Sequence, residues 1–442
     1  MSSTGSEKIL SELYDVFSRG NGGVATDSRK VAPGDIFFAL RGEKFDGNLY
    51  AGTALQAGAA MAVVDERFAA SDEGGAVEDD PRYIVVPDTL KALQGLAAMY
   101  RRKLGIPIIA LTGSNGKTTT KELMSGVLGV KFNVKATRGN LNNHIGVPLT
   151  LLSFGKDTEI GIVEMGANHF GEISELCDIA RPEFGMITNI GKAHLEGFAN
   201  LRGVRKAKGE LFDYLADTGG RAFYSEDDPV IEEMVHWRPA LDAEPYSFES
   251  LGIGELPSEG GTIAIMVDGE RLKTQLVGRY NIHNIAAAIA VGRYFDVDRA
   301  GMLAALASYR PDNNRSQQAF TGRNTLYMDA YNANPSSMAA ALENFSSLDV
   351  PDKILILGDM LELGDSSREE HAAIVGMIKG LGFDRVFLAG PDFADAAAGS
   401  GLAAFADTDA LIAHLKKEPV SGAHILIKGS RGMGLEKVAG VL

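Results

Sequence analysis

The run Thr112-Gly-Ser-Asn-Gly-Lys-Thr-Thr-Thr120 sets two glycines, a lysine and a block of hydroxyls side by side. That combination suits a phosphate. Glycine lets the backbone curl until successive N–H groups face an anion, and a helix opening at Lys117 adds the partial positive charge of its N-terminus. Lys117 would reach the β- and γ-phosphates of ATP, and Thr118 would offer its hydroxyl to Mg²⁺. Gly113, Ser114, Asn115, Gly116 and Thr119 complete the candidate ATP-binding loop. The spacing is shorter than in the usual nucleotide loop, because only Ser114 and Asn115 separate Gly113 from Gly116. A tight strand-to-helix turn is the simpler alternative; it explains the glycines but not a lysine followed by three threonines.

Phosphoryl transfer asks for charge neutralisation more than for a base. Two downstream residues could supply it. Glu164 ends the apolar run that starts at Ile160, and His194 follows the run Phe184-Gly-Met-Ile-Thr188 by a few residues. Alone, each could be an exposed acid or a satisfied histidine; both follow strands expected beside the phosphate loop. Asn281 and Asn284 stand at the head of an Ala-rich helical stretch, where Asn281 could equally be an N-cap. Ser28 and Arg29 pair a hydroxyl with a guanidinium, donors suited to a diphosphate, or they form a turn with a surface arginine.

These residues need a scaffold, and three segments are legible. Residues 1–105 hold short apolar runs (35–40, 60–64, 83–86) that read as buried strands, then a helical pattern over 89–104. Residues 106–310 alternate strand-like runs (106–111, 160–164, 184–188) with helices over 117–128 and 281–295. Residues 311–442 carry the runs 353–357, 385–388 and 424–428 with helical stretches between them. The expected fold is therefore α/β in three domains: a small α/β domain, a central mostly parallel sheet of P-loop type, and a C-terminal doubly wound, Rossmann-like domain. The stretch Gly74–Asp80 reads as a polar acidic loop. No internal repeat is visible.

Composition bounds the function. The chain has 442 residues and a formal net charge of −15, which argues against nucleic acid or anionic lipid as the main partner. A single cysteine, Cys177, rules out an intrachain disulfide and a multi-cysteine metal site. The polar N-terminus lacks the apolar core of a signal peptide, and no apolar run approaches the ~20 residues of a membrane span. A cytoplasmic protein, not bound to membrane, is expected.

The segment TGSNGKTTTK resembles the short phosphate loop of the Mur ligase superfamily, which also contains folylpolyglutamate synthases and cyanophycin synthetases. That resemblance implies a metal site for two Mg²⁺ ions, with Glu164 and His194 matching metal-site residues of the family. The segment Ala207-Lys-Gly-Glu-Leu-Phe212 is similar to the family segment whose lysine is often carbamylated; the matching residue is Lys208, with Lys206 two positions earlier. The resemblance implies nucleotide contacts from Asn281, Asn284 and Arg315, with Tyr280 standing where histidine is frequent. Thr26–Gly42 resembles the family's UDP-sugar-binding domain, with Ser28, Arg29 and Asn48 as contacts. Thr137, Asn140 and Asn143 match the loop that meets the muramoyl peptide. Asp329-Ala-Tyr-Asn-Ala-Asn-Pro335 resembles the signature of members that take D-alanyl-D-alanine as acceptor. There Asp329 would bind the ribose, and Tyr331, Asn332 and Asn334 the substrates. Gly358-Asp-Met-Leu-Glu-Leu-Gly364 with His371, and Lys428-Gly-Ser-Arg431, fit the same members.

The activity so implied is ATP-dependent ligation of D-alanyl-D-alanine to UDP-muramoyl-tripeptide through an acyl phosphate, by a monomer, with Lys117, His194, Lys208 and Arg315 as the catalytic set. Two alternatives stay open: the preceding ligase of the family, which adds the third amino acid, and a non-catalytic binder of UDP-muramoyl peptides.

Overall fold

Helix Thr89–Leu104 shows how local chemistry sets the elements. Asp88 accepts from the Lys91 N–H at its start, three basic residues fill its last turn, and Gly105 ends it at φ 64°. The computed structural model describes residues 3–20, 23–74, 77, 80–257, 261–311, 315–383 and 385–442. Most of the expected acidic loop at 74–80, and residues 312–314 ahead of Arg315, lie outside that set.

The chain divides into two units. The first comprises Met1–Ala110, Asn133–Gly166 and Glu172–Phe184. It holds a parallel four-stranded sheet of Val24–Ala25, Ile36–Phe38, Met61–Asp65 and Tyr83–Val86, in that order. Phe37, Ala39, Ala62 and Val64 form its core together with Ala51, Ala54 and Leu55. Strands Val134–Ala136 and Ile160–Glu164 also pair in parallel. Arg101 is buried in this unit; it donates to Ala180 O at 2.7 Å, to Arg181 O at 2.9 Å and to Glu183 Oε1 at 2.6 Å. A buried guanidinium is tolerated only with its donors satisfied.

The second unit comprises Leu111–Phe132, Ala167–Gly171 and Gly185–Leu442. Helix Lys117–Leu128 packs against Asn281–Tyr294 and Arg299–Ser308. The Ala-rich sequence of Asn281–Tyr294 suits a helix buried nearly all round. Strands Arg221–Ser225 and Asp242–Tyr246 are parallel. A three-stranded antiparallel sheet, Ile253–Glu255, Thr262–Val267 and Glu270–Val277, was not legible as a separate sheet. Near the C-terminus lies a six-stranded sheet in the order Gln317–Phe320, Thr325–Asp329, His424–Lys428, Lys353–Gly358, Arg385–Ala389, Ala403–Phe405. Its strands are parallel except the edge strand Gln317–Phe320, which pairs antiparallel. The class expected from the sequence, α/β with mostly parallel sheets, is the class observed.

Candidate active site

The phosphate loop is held from several sides. Gly113 has φ 141° and Gly116 φ 79°, and a Cβ at Gly113 would lie 2.0 Å from Thr188 Oγ1. Only glycine fits such a site. Ser114 Oγ donates to Gly191 O at 2.9 Å and accepts from Gly191 N at 2.8 Å. Asn115 N donates to Asn189 Oδ1 at 3.0 Å, and Asn115 O accepts from Asn189 Nδ2 at 3.0 Å. Lys117 folds over the loop it follows, donating to Gly113 O at 2.6 Å. Thr118, Thr119 and Thr120 are buried at the head of the helix.

Asn281 and Asn284 lie beneath this loop. Asn281 is not an N-cap: its amide donates to Val277 O at 2.8 Å and to Ser316 Oγ at 2.9 Å, and Tyr280 occupies the cap position. Asn284 donates to Asn281 Oδ1 at 2.7 Å and accepts from Thr120 Oγ1 at 3.0 Å. Tyr280 is half-buried beside Asp329, and desolvation of its hydroxyl pushes it far above the ordinary range. It bonds Ser316 Oγ at 3.1 Å and lines a small cavity with Val277, Asp329 and Asn344.

His194 and Lys208 follow. His194 has φ 51° and sets its Nδ1 2.7 Å from Glu362 Oε2. Lys208 is wholly buried, with Nζ 3.3 Å from Ala167 O and 5.5 Å from the Phe198 ring centre. Lys206 is exposed over Phe170. The two lysines lie two positions apart on helix Leu201–Thr218, so they point to different faces, and the one matched by the resemblance is the inward one.

The Asp329–Pro335 segment meets the loop. Asn334 caps helix Pro335–Ser347, accepting from Ser337 N, and donates to Asn115 Oδ1 at 2.8 Å. Asp329 Oδ2 pairs with the buried Lys428 Nζ at 2.5 Å, a neighbour imposed by the parallel register that faces Asp329 with Lys428. Asn332 is exposed, and its carbonyl accepts from Lys428. Arg315 stacks its guanidinium 3.7 Å from the Tyr331 ring centre, and its buried Nε has no hydrogen-bond partner. Arg431 approaches the same ring at 5.2 Å and donates to the Tyr331 hydroxyl.

In the first unit, Glu164 is buried at the end of its strand. Thr137 Oγ1 accepts from its N–H at 2.9 Å, and Asn142 Nδ2 donates to its Oε1 at 2.9 Å. Asn140 is exposed. Asn143 accepts from Ile145 N and Gly146 N, ordering the turn into helix Gly146–Leu152. Ser28 and Arg29 sit in a short 3-10 helix, where the guanidinium of Arg29 beside Asp27 holds that carboxyl down to about 2. Asn48, expected at the substrate, is wholly buried: it donates to Asp46 and Asp65 and accepts from Asp65 N at 2.9 Å. Its amide is spent on the fold, steadying Asp65 against Arg41, which donates to Asp65 Oδ2 at 2.9 Å.

Several residues at these sites lie in or beside runs singled out for other side chains: Asn142 on Glu164, Glu362 on His194, and Asn189 and Thr188 under the loop. Asn189, five residues before His194, bonds the loop three times: twice through its side chain to Asn115 and once through its carbonyl, which accepts from Ser114 N at 3.0 Å.

Three family profiles match the chain: the Mur ligase family catalytic domain over residues 22–101, the Mur ligase middle domain over 111–292, and the Mur ligase glutamate ligase domain over 314–431. The UDP-N-acetylmuramoyl-tripeptide–D-alanyl-D-alanine ligase of Bacillus subtilis strain 168 is 35% identical over 429 residues, covering 94% of this chain and 92% of its own length. A crystal structure of MurF from Acinetobacter baumannii superposes with a TM-score of 0.82 at 30% identity, over 94% of this chain and 92% of that one. The MurF ligase of Thermotoga maritima in complex with ADP gives 0.82 at 26% identity, over 97% of both chains.

Proposed function

We propose that this chain, which belongs to the Mur ligase family, joins D-alanyl-D-alanine to a UDP-N-acetylmuramoyl-tripeptide at the expense of ATP. The observation that carries the reading is the 2.8 Å bond from Asn334 to Asn115. It sets the segment resembling the dipeptide-adding signature against the loop that would hold the phosphates.

A carboxylate resists attack by an amine at neutral pH. Transfer of the γ-phosphoryl group to the tripeptide's terminal carboxylate turns a poor leaving group into phosphate. The dipeptide amine then adds to the acyl phosphate, and the tetrahedral intermediate collapses to the amide with loss of phosphate. Lys117 and the loop N–H groups hold the phosphates, and Arg315, steadied on Tyr331, adds positive charge. Asp329 receives the ribose; Ser28, Arg29, Thr137, Asn140 and Asn143 serve the UDP-muramoyl peptide, and Tyr331, Asn332 and Asn334 the acceptor side.

Mg²⁺ fits the donors present. Among the described residues no group of three or more His, Cys, Asp or Glu side chains forms a cage. Mg²⁺ usually keeps several waters and binds through one or two carboxylates plus substrate phosphates, so few protein donors are needed; the Thr118 hydroxyl and His194 in the second unit are candidates, and Glu164 is one by the resemblance. When bound, two Mg²⁺ ions would neutralise charge on the transferred group. Carbamylation of Lys208 would turn its buried end into an anionic oxygen ligand.

We divide the chain into domains at 1–105, 106–310 and 311–442. The matched spans 22–101, 111–292 and 314–431 fall inside these boundaries, which supports the division. Among the described residues no helix is long and apolar enough to cross a membrane. A monomer acting in the cytoplasm, where ATP and UDP-linked precursors are made, belongs to the proposal.

The deciding experiment measures phosphate release from ATP with UDP-muramoyl-tripeptide, with and without D-alanyl-D-alanine. Release that needs the dipeptide and yields a UDP-pentapeptide is expected. Release only with the UDP-dipeptide and a free amino acid would move the chain to the preceding step. No turnover with either would leave a binder.

A further inference from the structure

Two residues with left-handed backbones face each other across the second unit. His194 has φ 51° and Glu362 has φ 63°. Neither is glycine, and such conformations persist only where surrounding structure imposes them, often at functional sites. Their side chains meet with His194 Nδ1 2.7 Å from Glu362 Oε2, and their backbones are joined nearby by Glu196 N donating to Glu362 O at 3.2 Å. The Nδ1 atom is buried without a well-aligned hydrogen bond, although the separation is that of an ion pair. At that distance attraction survives imperfect alignment.

We propose that Glu362 is a positioning residue for His194: it takes up Nδ1 and so leaves Nε2 oriented to bind a metal ion. Histidines that bind metals generally give their second ring nitrogen to a carboxylate or carbonyl, which fixes both tautomer and orientation. Glu362 comes from the Asp359–Gly364 loop of the C-terminal segment, and His194 from the central one. The imidazole is therefore aimed only when the C-terminal segment is docked. Three further bonds across the same boundary support that docking: Lys192 Nζ to Glu370 Oε1 at 2.5 Å, Lys192 N to Ser336 Oγ at 2.8 Å, and Asn334 to Asn115. Assembly of the metal site is in this way tied to the element that would bring the acceptor.

The inference rests on the metal role given to His194 above, and the test separates the two. Mn²⁺ is titrated by electron paramagnetic resonance into the full chain with ADP, for wild type and for His194→Ala, Glu362→Gln and Glu362→Gly. The ¹⁵N shifts of the His194 ring are recorded without metal. Weakening of Mn²⁺ binding by about tenfold or more is expected in both Glu362 variants, with altered ring shifts. Glu362→Gly also relieves the left-handed backbone, so its unfolding midpoint should not fall, and a loss of metal affinity there is not a loss of fold. If His194→Ala weakens Mn²⁺ while both Glu362 variants bind like wild type with unmoved shifts, the positioning role is overturned and the metal role stands. If His194→Ala also binds like wild type, both are overturned.

Discussion

Asn284 occupies the space that a side chain at Gly116 would need. A Cβ there would lie 2.5 Å from Asn284 Oδ1, the same oxygen that accepts from Thr120 Oγ1 at 3.0 Å. The helix beginning at Asn281 thus props the phosphate loop from below and limits what the loop can be made of. Gly116→Ala meets both this clash and a φ of 79°, and should cost about 3 kcal/mol and abolish ADP binding. Asn284→Ala removes the prop without a clash and should cost about 1–2 kcal/mol. Urea unfolding and calorimetric ADP titration measure both; a Gly116→Ala protein as stable as wild type would refute the tight fit.

Lys117 donates to Gly113 O at 2.6 Å, which keeps its ammonium at the loop where the phosphates would lie. Lys117→Ala should lower ATP turnover by a hundredfold or more, on the order of removing one transition-state donor, and change stability by less than about 1 kcal/mol. Lys117→Arg should not rescue it, because a planar fork does not replace a compact ammonium. Turnover surviving in Lys117→Ala would show that the loop is only a turn.

The buried Asp359 predicts a pH dependence. Its oxygens accept from Asp392 N at 3.0 Å and Phe393 N at 2.8 Å, but burial outweighs those bonds and raises its carboxyl above the usual value. The folded state then holds this proton at pH values where the unfolded chain has released it. The contribution to stability is full below the unfolded value of 3.8 and is lost as pH rises through the raised folded value. Unfolding free energy is followed from pH 3.8 upward for wild type and Asp359→Ala; the slopes of the other carboxylates are common to both, so wild-type stability minus that of the variant should fall as pH rises.

The phosphate loop was legible because its residue types have few other uses together, and helix Lys117–Leu128 followed from the same run. Strands Ile160–Glu164 and His424–Lys428 were found at their observed limits since each is a short apolar run between breakers. Other roles were hidden for physical reasons. Asn281 at a helix start looks the same whether it caps its own helix or donates back to Val277. Asn48 after Asp-Gly reads as an exposed turn, and only the fold brings Asp65 to it. Glu362 lies in the Gly358–Gly364 run and Asn142 between Asn140 and Asn143, but each acts on a residue far along the chain, so spacing does not reveal its partner.

Lys428 and Asp329 test the ribose end of the site. The pair is nearly dry on the lysine side and 2.5 Å apart. Lys428→Met should leave the carboxylate without its partner and cost on the order of 3 kcal/mol. Asp329→Asn alone strands the ammonium, whereas the double variant should recover part of the loss. A double-mutant cycle by urea unfolding reads the coupling; additive losses would mean that the two charges do not depend on each other.

Tyr331 divides the work of two arginines. Arg315 lies flat against its ring at 3.7 Å, while Arg431 reaches its hydroxyl at 3.2 Å. Stacking leaves the edge of the Arg315 guanidinium free to meet phosphate oxygens and holds it by attraction to the ring face, about 1 kcal/mol at a partly exposed site. Tyr331→Phe keeps the face and loses only the bond to Arg431, so KM for ATP should stay within about twofold of wild type, the effect of a few tenths of a kcal/mol. Tyr331→Ala removes the face; Arg315 is then free to wander, and KM for ATP should rise by about fivefold, the equivalent of that 1 kcal/mol. Steady-state kinetics on the two variants decide between these roles: a phenylalanine variant as impaired as the alanine one would place the function in the hydroxyl and Arg431, not in the stacked Arg315.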